Sequence, residues 1–213
     1  MVSRWFAEDI NLDYVDDIGQ NGDLSSQFDV DGNGVGDIIG CDEDWACHRD
    51  IDEMIATNGW RLEQFSGDYD QVIASAQSRI TNGLPTLLFT WAPSAYIADL
   101  VPGGDVAWMG VRNPVEGQSG PADLNEQQCL ADPCETGFRT ADLSVVANSE
   151  FLASHPDIET LLSQVTVSSA DIAAQNKLVA GGESTADDLA RHAAEWIDDH
   201  RDLVDDWLMN ADS

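Results

Sequence analysis

Apolar residues recur at helical spacing in two segments of the first half of the chain. Residues 48–57 and 68–81 each carry an apolar face, and each segment is followed by an Asn-Gly pair that is typical of a helix C-terminus. The apolar positions are Ile51, Met54 and Ile55 in the first segment and Val72, Ile73, Ala76 and Ile80 in the second. The pattern predicts two amphipathic helices, each packing one face on a core.

A continuous apolar run follows the second predicted helix. Residues 84–90 read Leu-Pro-Thr-Leu-Leu-Phe-Thr, which is typical of a short strand buried in a parallel sheet. Trp91 comes directly after this run, and Ala92-Pro93 then turns the chain out of the strand. Because ligands bind outside the carboxyl ends of strands in open α/β sheets, Trp91 is a candidate binding residue.

Two further helices are predicted near the C-terminus. Residues 168–180 form the first, which Gly181-Gly182 closes, and residues 185–209 form the second. The second carries an apolar stripe down one side that consists of Leu189, Ala193, Trp196, Ile197, Leu203, Val204, Trp207 and Leu208. Because such a stripe must be buried, it predicts packing on the rest of the chain, self-association, or pairing with a separate polypeptide.

The charge of the chain limits its partners. The 213 residues include 40 acidic and 9 basic side chains, for a formal charge of −31, and Lys177 is the single lysine. Nucleic acid and anionic membrane surfaces are therefore excluded as partners. An acidic secreted protein would explain the charge, but the near absence of lysine and the even spread of acidic residues favour a surface adapted to high salt.

The four cysteines form two close pairs, each in a loop-like stretch: Cys41 with Cys47 and Cys129 with Cys134. Sequence alone allows three connectivities, of which we favour the local pairing. Zinc is the alternative, but the spacings differ from the usual zinc motifs, so disulfides and an oxidising compartment are predicted. The chain begins without an apolar signal segment, so we expect either a removed signal or a fragment of a periplasmic or extracellular protein.

An acidic loop, residues 29–37, resembles part of a calcium-binding loop. Asp29, Asp31, Asn33 and Asp37 match its ligand positions, and Gly34 matches its sharp bend. The position that needs a bidentate glutamate is Gly40. Two interpretations stay open: a turn whose Asp and Asn side chains bond their own backbone, which we favour, and a bound structural calcium. No cofactor is required in either case.

Trp45 lies in a polar loop closed by cysteines, which we call the cysteine loop (residues 41–47), directly before a predicted helix. Free N–H groups at that helix terminus, those of Ala46 and Cys47, are suited to an anion such as a carboxylate. Indole faces are the best protein partners for a quaternary ammonium group, which has no N–H to donate. Trp45 and Trp91 therefore predict half of a cage for a betaine. The tryptophans that fit packing roles are Trp60, Trp108, Trp196 and Trp207.

Enzyme motifs are absent from the sequence. It contains no Gly-x-Ser-x-Gly elbow, no phosphate-binding loop, no Gly-x-Gly-x-x-Gly and no His-Glu-x-x-His. Carboxylates are so numerous that any single acid/base pair is uninformative. We therefore predict no catalytic residue and no enzymatic activity.

Several separate motifs, in order along the chain, resemble the glycine betaine/proline betaine-binding protein of an ABC importer. They are Phe28-Asp-Val-Asp-Gly-Asn-Gly34, Gly40-Cys-Asp-Glu-Asp-Trp-Ala-Cys47, Asn58-Gly-Trp60, Phe89-Thr-Trp-Ala-Pro93, Leu100-Val-Pro-Gly-Gly-Asp-Val-Ala-Trp108 and Asp171-Ile-Ala-Ala-Gln-Asn176. The resemblance implies an α/β, type II periplasmic-binding fold that closes on a quaternary ammonium osmolyte and delivers it to a membrane permease. It also implies that Trp45 and Trp91 are cage walls, that the backbone amides of Ala46 and Cys47 bind the ligand carboxylate, and that Cys41 bonds Cys47.

The family pattern has a part that this sequence lacks. Family members carry another cage tryptophan and a carboxylate-contacting histidine on the first lobe, and no residue here matches that motif. The expectation is therefore one complete lobe, the second, over residues 1–165, and C-terminal helices over residues 166–213 that return toward the first lobe. The alternative function is a calcium-braced structural or interaction module that keeps the fold and binds no betaine.

Overall fold

The structure is a computed structural model, and it describes residues 1–117, 124–140 and 143–211. The chain divides into two compact units. Unit 1 comprises Met1–Trp91 and Asp99–Thr140, and unit 2 comprises Ala92–Ala98 and Ala141–Ser213. The lobe division that the sequence predicts at residue 165 concerns a larger fold and stays a prediction.

Unit 1 is an α/β unit. Its strands are β1 (Val2–Ser3), β2 (Gly36–Ile39), β3 (Leu62–Phe65) and β4 (Val106–Ala107). Its helices are α1 (Arg4–Ile10), α2 (Val15–Gly19), α3 (Gly22–Ser25), α4 (Ala46–Asn58) and α5 (Tyr69–Thr81). Strands β2 and β3 pair in parallel with Ile39 opposite Phe65, and β1 pairs with β4 in antiparallel orientation.

The segment 84–90 lies between the two strand pairs, but it is not the regular strand that the sequence predicts. It makes two isolated bridges, Leu87 with Val2 and Leu88 with Ile39, the second of them parallel. Backbone bonds extend the contact, because the Ile39 N–H donates to the Leu87 carbonyl at 2.9 Å and the Phe89 N–H donates to Ile39 at 2.8 Å. Pro85 has no N–H to give to a ladder, which shortens the pairing.

Helices α4 and α5 follow the predicted pattern. Ile51 and Met54 are buried on α4, and Val72, Ile73 and Ala76 are buried on α5. Helix α4 ends at Asn58, and Gly59 caps it. The φ of Gly59 is 61°, a left-handed conformation that glycine adopts without a steric penalty. The core of unit 1 combines these faces with buried residues of the strands and the first helices, among them Val2, Phe6, Ile18, Phe28, Ile39, Leu62 and Leu87.

Unit 2 is helical. Its helices are α6 (Ser149–Ser154), α7 (Pro156–Gln164), α8 (Ser169–Ala180), α9 (Ala186–Asp199) and α10 (Arg201–Ala211). The prediction for residues 168–180 is confirmed, with Ser168 as the N-cap whose side chain accepts from the Asp171 N–H. The single helix predicted over residues 185–209 is wrong, because His200, at φ −115° and ψ 31°, separates α9 from α10.

Aromatic stacking lies at the break between α9 and α10. The His200 ring stacks on Trp196 at a centroid distance of 4.2 Å, and Trp196 stacks on Trp207 at 6.1 Å. Trp207 is buried, whereas Leu189, Leu203 and Leu208 of the predicted apolar stripe are exposed. Within the described residues, part of the stripe is therefore left exposed, and the predicted partner for it stays a prediction. Among the described residues, no helix is both long enough and apolar enough to cross a lipid bilayer.

Candidate ligand site

Three aromatic residues follow the carboxyl ends of three adjacent chain segments in unit 1. Trp45 follows β2, Tyr69 follows β3, and Trp91 follows the segment 84–90, which bridges β2 in parallel. Parallel strands bring their carboxyl ends to one edge, so residues that are distant along the chain meet there. We call Trp45, Tyr69 and Trp91 the aromatic corner.

The two indoles of the aromatic corner are close and nearly perpendicular. The ring centroids of Trp45 and Trp91 are 5.8 Å apart, at an interplanar angle of 70°. The Trp45 side chain is 41% exposed and that of Trp91 is 38% exposed. A cation within about 6 Å of an indole centroid gains a favourable contact with its face. The two indoles are therefore both partly exposed and close enough for one cation to contact them together.

Tyr69 completes the aromatic corner from the buried side. Its ring centroid lies 5.2 Å from that of Trp45 and 5.3 Å from that of Trp91. The ring centroid of Phe89 lies 6.3 Å from that of Trp91 and 5.0 Å from that of Phe138, so the aromatic packing continues into unit 1. Sequence reasoning missed Tyr69, because it begins a helix whose predicted apolar face lies further along. Its position directly after Asp68, a typical N-cap residue, and shortly after the segment Leu62–Phe65, which forms β3, was the available signal.

The cysteine loop holds Trp45 at the start of α4. Cys41 and Cys47 form a disulfide with a Cα–Cα distance of 6.1 Å, which is the local pairing that the sequence predicts. Inside the loop, the Trp45 N–H donates to the Asp42 carbonyl at 3.0 Å. The disulfide therefore joins the two ends of the loop, and the second end is also the start of α4.

Trp45 is the N-cap residue of α4, with extended backbone at φ −88° and ψ 151°. Helical geometry provides no intrahelical acceptor for the first N–H groups, which here belong to Ala46 and Cys47. Gln64 of β3 fixes this end of the helix, because its Nε2 donates to the His48 carbonyl and to Asp52 Oδ1, each at 2.7 Å. A carboxylate beside Trp45 would meet these N–H groups and the positive end of the helix dipole.

Acidic residues are neighbours of the aromatic corner along the chain. Asp42, Glu43 and Asp44 precede Trp45, and Asp70 follows Tyr69. These carboxylates favour a cationic group at the exposed indole faces. The neighbouring carboxylates and the aromatic rings therefore favour the same kind of ligand group, a cation.

The acidic loop brings the three aspartates of its predicted metal-binding set together. Asp29, Asp31 and Asp37 place carboxylate oxygens within 4.8 Å of one another. The loop also makes the backbone bonds of the turn interpretation: Asp29 accepts from the Gly32 and Gly34 N–H groups at 2.7 and 2.9 Å, and Asn33 Oδ1 accepts from Val35 at 2.7 Å. The bonds from Gly34 and Gly32 lower the pKa of Asp29. Both interpretations remain consistent with this geometry, and calcium stays a prediction.

Asp37 gives the acidic loop a measurable pH dependence. Burial raises the pKa of Asp37 from 3.8 to about 6, with the charges of Asp31 and Glu63 adding to the shift. A carboxyl whose pKa is higher in the folded than in the unfolded state holds its proton more tightly when folded. Ionised Asp37 therefore lowers stability, and the loss accumulates as the pH rises from about 4 to about 6.

We expect Asp37→Asn to raise the free energy of unfolding at neutral pH by on the order of 1 kcal/mol, because it removes the buried charge. Its Oδ1 can still accept from the Val30 N–H, as Asp37 Oδ2 does at 2.6 Å. Urea unfolding of both proteins across this pH range measures the difference. Equal stability at all pH values would contradict the assignment, and stabilisation of the unsubstituted chain alone by added calcium would support a bound ion.

Comparisons with known proteins agree on one family. Residues 1–199 match the family model OpuAC, the substrate binding domain of ABC-type glycine betaine transport system. The glycine betaine-binding periplasmic protein OusX of Dickeya dadantii is 29% identical over 213 residues, which are 99% of this chain and 63% of that protein. The glycine betaine/proline betaine-binding periplasmic protein of Escherichia coli is 30% identical over 192 residues, which are 88% of this chain and 56% of that protein.

A third relative, the glycine betaine/proline betaine-binding periplasmic protein of Salmonella typhimurium, is 27% identical over 99% of this chain and 63% of its own length. The chain thus spans less than two thirds of the relatives it matches. The family has the type II periplasmic-binding fold, in agreement with the fold class that the sequence predicts. Because the family model covers nearly the whole sequence, the chain belongs to the OpuAC family of substrate-binding domains.

Proposed function

We propose that this chain is the substrate-binding component of an ABC importer for glycine betaine or a related quaternary ammonium osmolyte. The observation that carries the proposal is the pair of exposed indoles, 5.8 Å apart and nearly perpendicular, at the edge where ligands bind in parallel sheets. The family assignment supports the same class of ligand. The role is capture and delivery, so the chain is not an enzyme.

In this proposal each end of a betaine has its own partner. The trimethylammonium group contacts the faces of Trp45 and Trp91, and the carboxylate accepts hydrogen bonds from the Ala46 and Cys47 N–H groups. The α4 dipole favours the carboxylate, whereas the acidic side chains around the corner favour the ammonium group. A ligand that carries both charges a few ångströms apart uses both features.

The surroundings of the protein also belong to the proposal. The relatives are periplasmic proteins, and the two disulfides suit an oxidising compartment outside the cytoplasm. A membrane permease of the importer would receive the ligand. Within the type II fold, we assign residues 1–165 to the second lobe and residues 166–213 to helices that return toward the first.

The exposed part of the apolar stripe supports a protein partner as well. Leu189, Leu203 and Leu208 would be covered either by a second copy of the chain or by a separate polypeptide that supplies the first lobe. The molar mass in solution, measured by light scattering, tests the first option. A monomer at all concentrations would exclude it.

Isothermal titration of glycine betaine into the protein in molar KCl tests the function. The titration is done at high salt because the acidic composition predicts a protein adapted to such conditions. We expect saturable binding of glycine betaine and none of glycine, which has the same carboxylate but a primary ammonium that water solvates well. Choline keeps the quaternary ammonium without the carboxylate, so it should bind more weakly than glycine betaine.

The outcome also separates the two candidate functions. Absence of heat with every quaternary ligand, together with stabilisation by calcium, would favour the structural or interaction module. The carboxylates of Asp29, Asp31 and Asp37 lie close together, and this is the observation that supports the calcium-braced module as the second candidate function. Equal binding of glycine and glycine betaine would contradict the aromatic site.

A further inference from the structure

Tyr69 contacts both indoles of the aromatic corner from behind. Its side chain is 4% exposed, in contrast to the two half-exposed indoles, and its ring is 5.2 Å from Trp45 and 5.3 Å from Trp91. A partly exposed indole can change rotamer unless a neighbour blocks the alternative wells. Tyr69 is a neighbour that both indoles share, so its removal would leave space behind each of them.

The phenol ring of Tyr69 is itself held at both ends. Its backbone begins α5, where the Asp68 side chain caps the helix by accepting from the Gln71 N–H at 3.2 Å. Its hydroxyl donates to the Phe89 carbonyl at 2.9 Å, two residues before Trp91. Burial raises the pKa of Tyr69 to about 12, so the hydroxyl stays protonated and remains a donor. Tyr69 thus joins α5 to the segment that carries Trp91.

The angle between the indoles matters for a quaternary ammonium ligand. At a centroid distance of 5.8 Å a cation cannot fit between the two rings, so both can contact it only while they remain inclined to each other, as they are at 70°. A preformed angle also means that binding does not have to order two mobile side chains, which would reduce affinity. The residue that sets the angle therefore influences affinity without contacting the ligand.

We propose that Tyr69 is a positioning residue for the quaternary ammonium site, which fixes the angle between Trp45 and Trp91 through ring contacts with both. For its effect on the ligand, this inference rests on the proposed function. Tyr69 is not a third wall of the cage, because almost none of its surface is exposed to a ligand.

Three variants test this role by titration with glycine betaine. Tyr69→Leu keeps an apolar side chain and removes the ring, and we expect about tenfold weaker binding, because the ligand must then order two indoles whose angle is no longer fixed. Tyr69→Phe keeps the ring and its contacts with both indoles, so it should bind within about threefold of the unsubstituted protein. Tyr14→Leu removes another tyrosine of unit 1, whose ring contacts Arg112 at 4.1 Å, and should leave affinity unchanged.

Circular dichroism of the ligand-free variants tests the position of the indoles directly. Two inclined indoles this close couple their electronic transitions and give a paired band in the far ultraviolet. The stacked pair Trp196 and Trp207 should contribute equally in every variant. Trp91→Phe is the reference that lacks the coupling between Trp45 and Trp91, which we call the corner signal. We expect the corner signal to be lost in Tyr69→Leu and kept in Tyr69→Phe and Tyr14→Leu.

Several results would overturn the proposal. These are unchanged affinity in Tyr69→Leu, an unchanged corner signal in that variant, or equal weakening in Tyr14→Leu, which would indicate a general effect on folding. If the unsubstituted chain binds no betaine, the proposed function fails and the dichroism alone decides. Loss of the signal in Tyr69→Leu with retention in Tyr69→Phe would then still support positioning, and persistence in Tyr69→Leu would refute it.

Discussion

Replacing Trp45 or Trp91 by alanine should weaken glycine betaine binding severely, and replacing both should abolish it. Contact of a cation with one aromatic face is worth roughly 0.5–2 kcal/mol. That term alone predicts about 2- to 30-fold weaker binding for each single variant. The lost apolar contact with the methyl groups adds to the effect. Titration calorimetry in molar KCl measures each affinity.

Trp5→Ala is the matched control for these variants. Trp5 also lies in unit 1, is 47% exposed, and contacts Phe6 edge to face at 5.5 Å. Its removal takes away an exposed indole of similar accessibility outside the aromatic corner. We expect unchanged affinity in Trp5→Ala, and full affinity in both Trp45→Ala and Trp91→Ala would refute the site assignment.

Removing the disulfide of the cysteine loop should reduce both stability and ligand binding. A bridge that closes a loop of this length stabilises the folded state by about 2 kcal/mol, mainly by restricting the unfolded chain. The double variant Cys41→Ala and Cys47→Ala should lose about that free energy of unfolding. It should also bind glycine betaine more weakly, because the bridge ties the loop that carries Trp45 and the first N–H groups of α4.

The second disulfide provides the control, because its loop has nearly the same length. Cys129 and Cys134 are five positions apart, compared with six for the first pair. They pack with Tyr14, Trp108 and Leu124, which are outside the aromatic corner. We expect a similar loss of stability by urea unfolding in the double variant Cys129→Ala and Cys134→Ala, with unchanged affinity. Equal loss of affinity in both double variants would mean that the cysteine loop has no special part in binding.

The local sequence was sufficient for the features that depend on nearby residues. Periodicity identified α4 and α5, and Gly59 identified the end of α4, because an apolar face and a left-handed glycine are properties of a few consecutive positions. The cysteine spacing favoured the local disulfides, since short loops bring such residues within bonding distance. Trp45 and Trp91 could be identified because Trp45 lies in a cysteine-closed loop directly before a helix and Trp91 directly follows an apolar run.

Features that depend on distant contacts were harder to predict. The helix over residues 185–209 is interrupted at His200, where Trp196 of α9 stacks on Trp207 of α10 across the break. The segment 84–90 does not form the predicted regular strand. Its pairing depends on contacts with β1 and β2, which come from distant parts of the sequence. Periodicity contains no information on either of these contacts.

The sequence by itself determined the acidic charge of the chain and, through the order of its motifs, the resemblance to the family; it favoured the local cysteine pairs and pointed to Trp45 and Trp91 as candidate site residues. Only the tertiary structure decided that Trp45 and Trp91 meet nearly at right angles and that Tyr69 lies behind both. The physical reason is that these three residues follow three different strand segments, so their distances depend on parallel pairing between parts of the chain that are far apart in sequence.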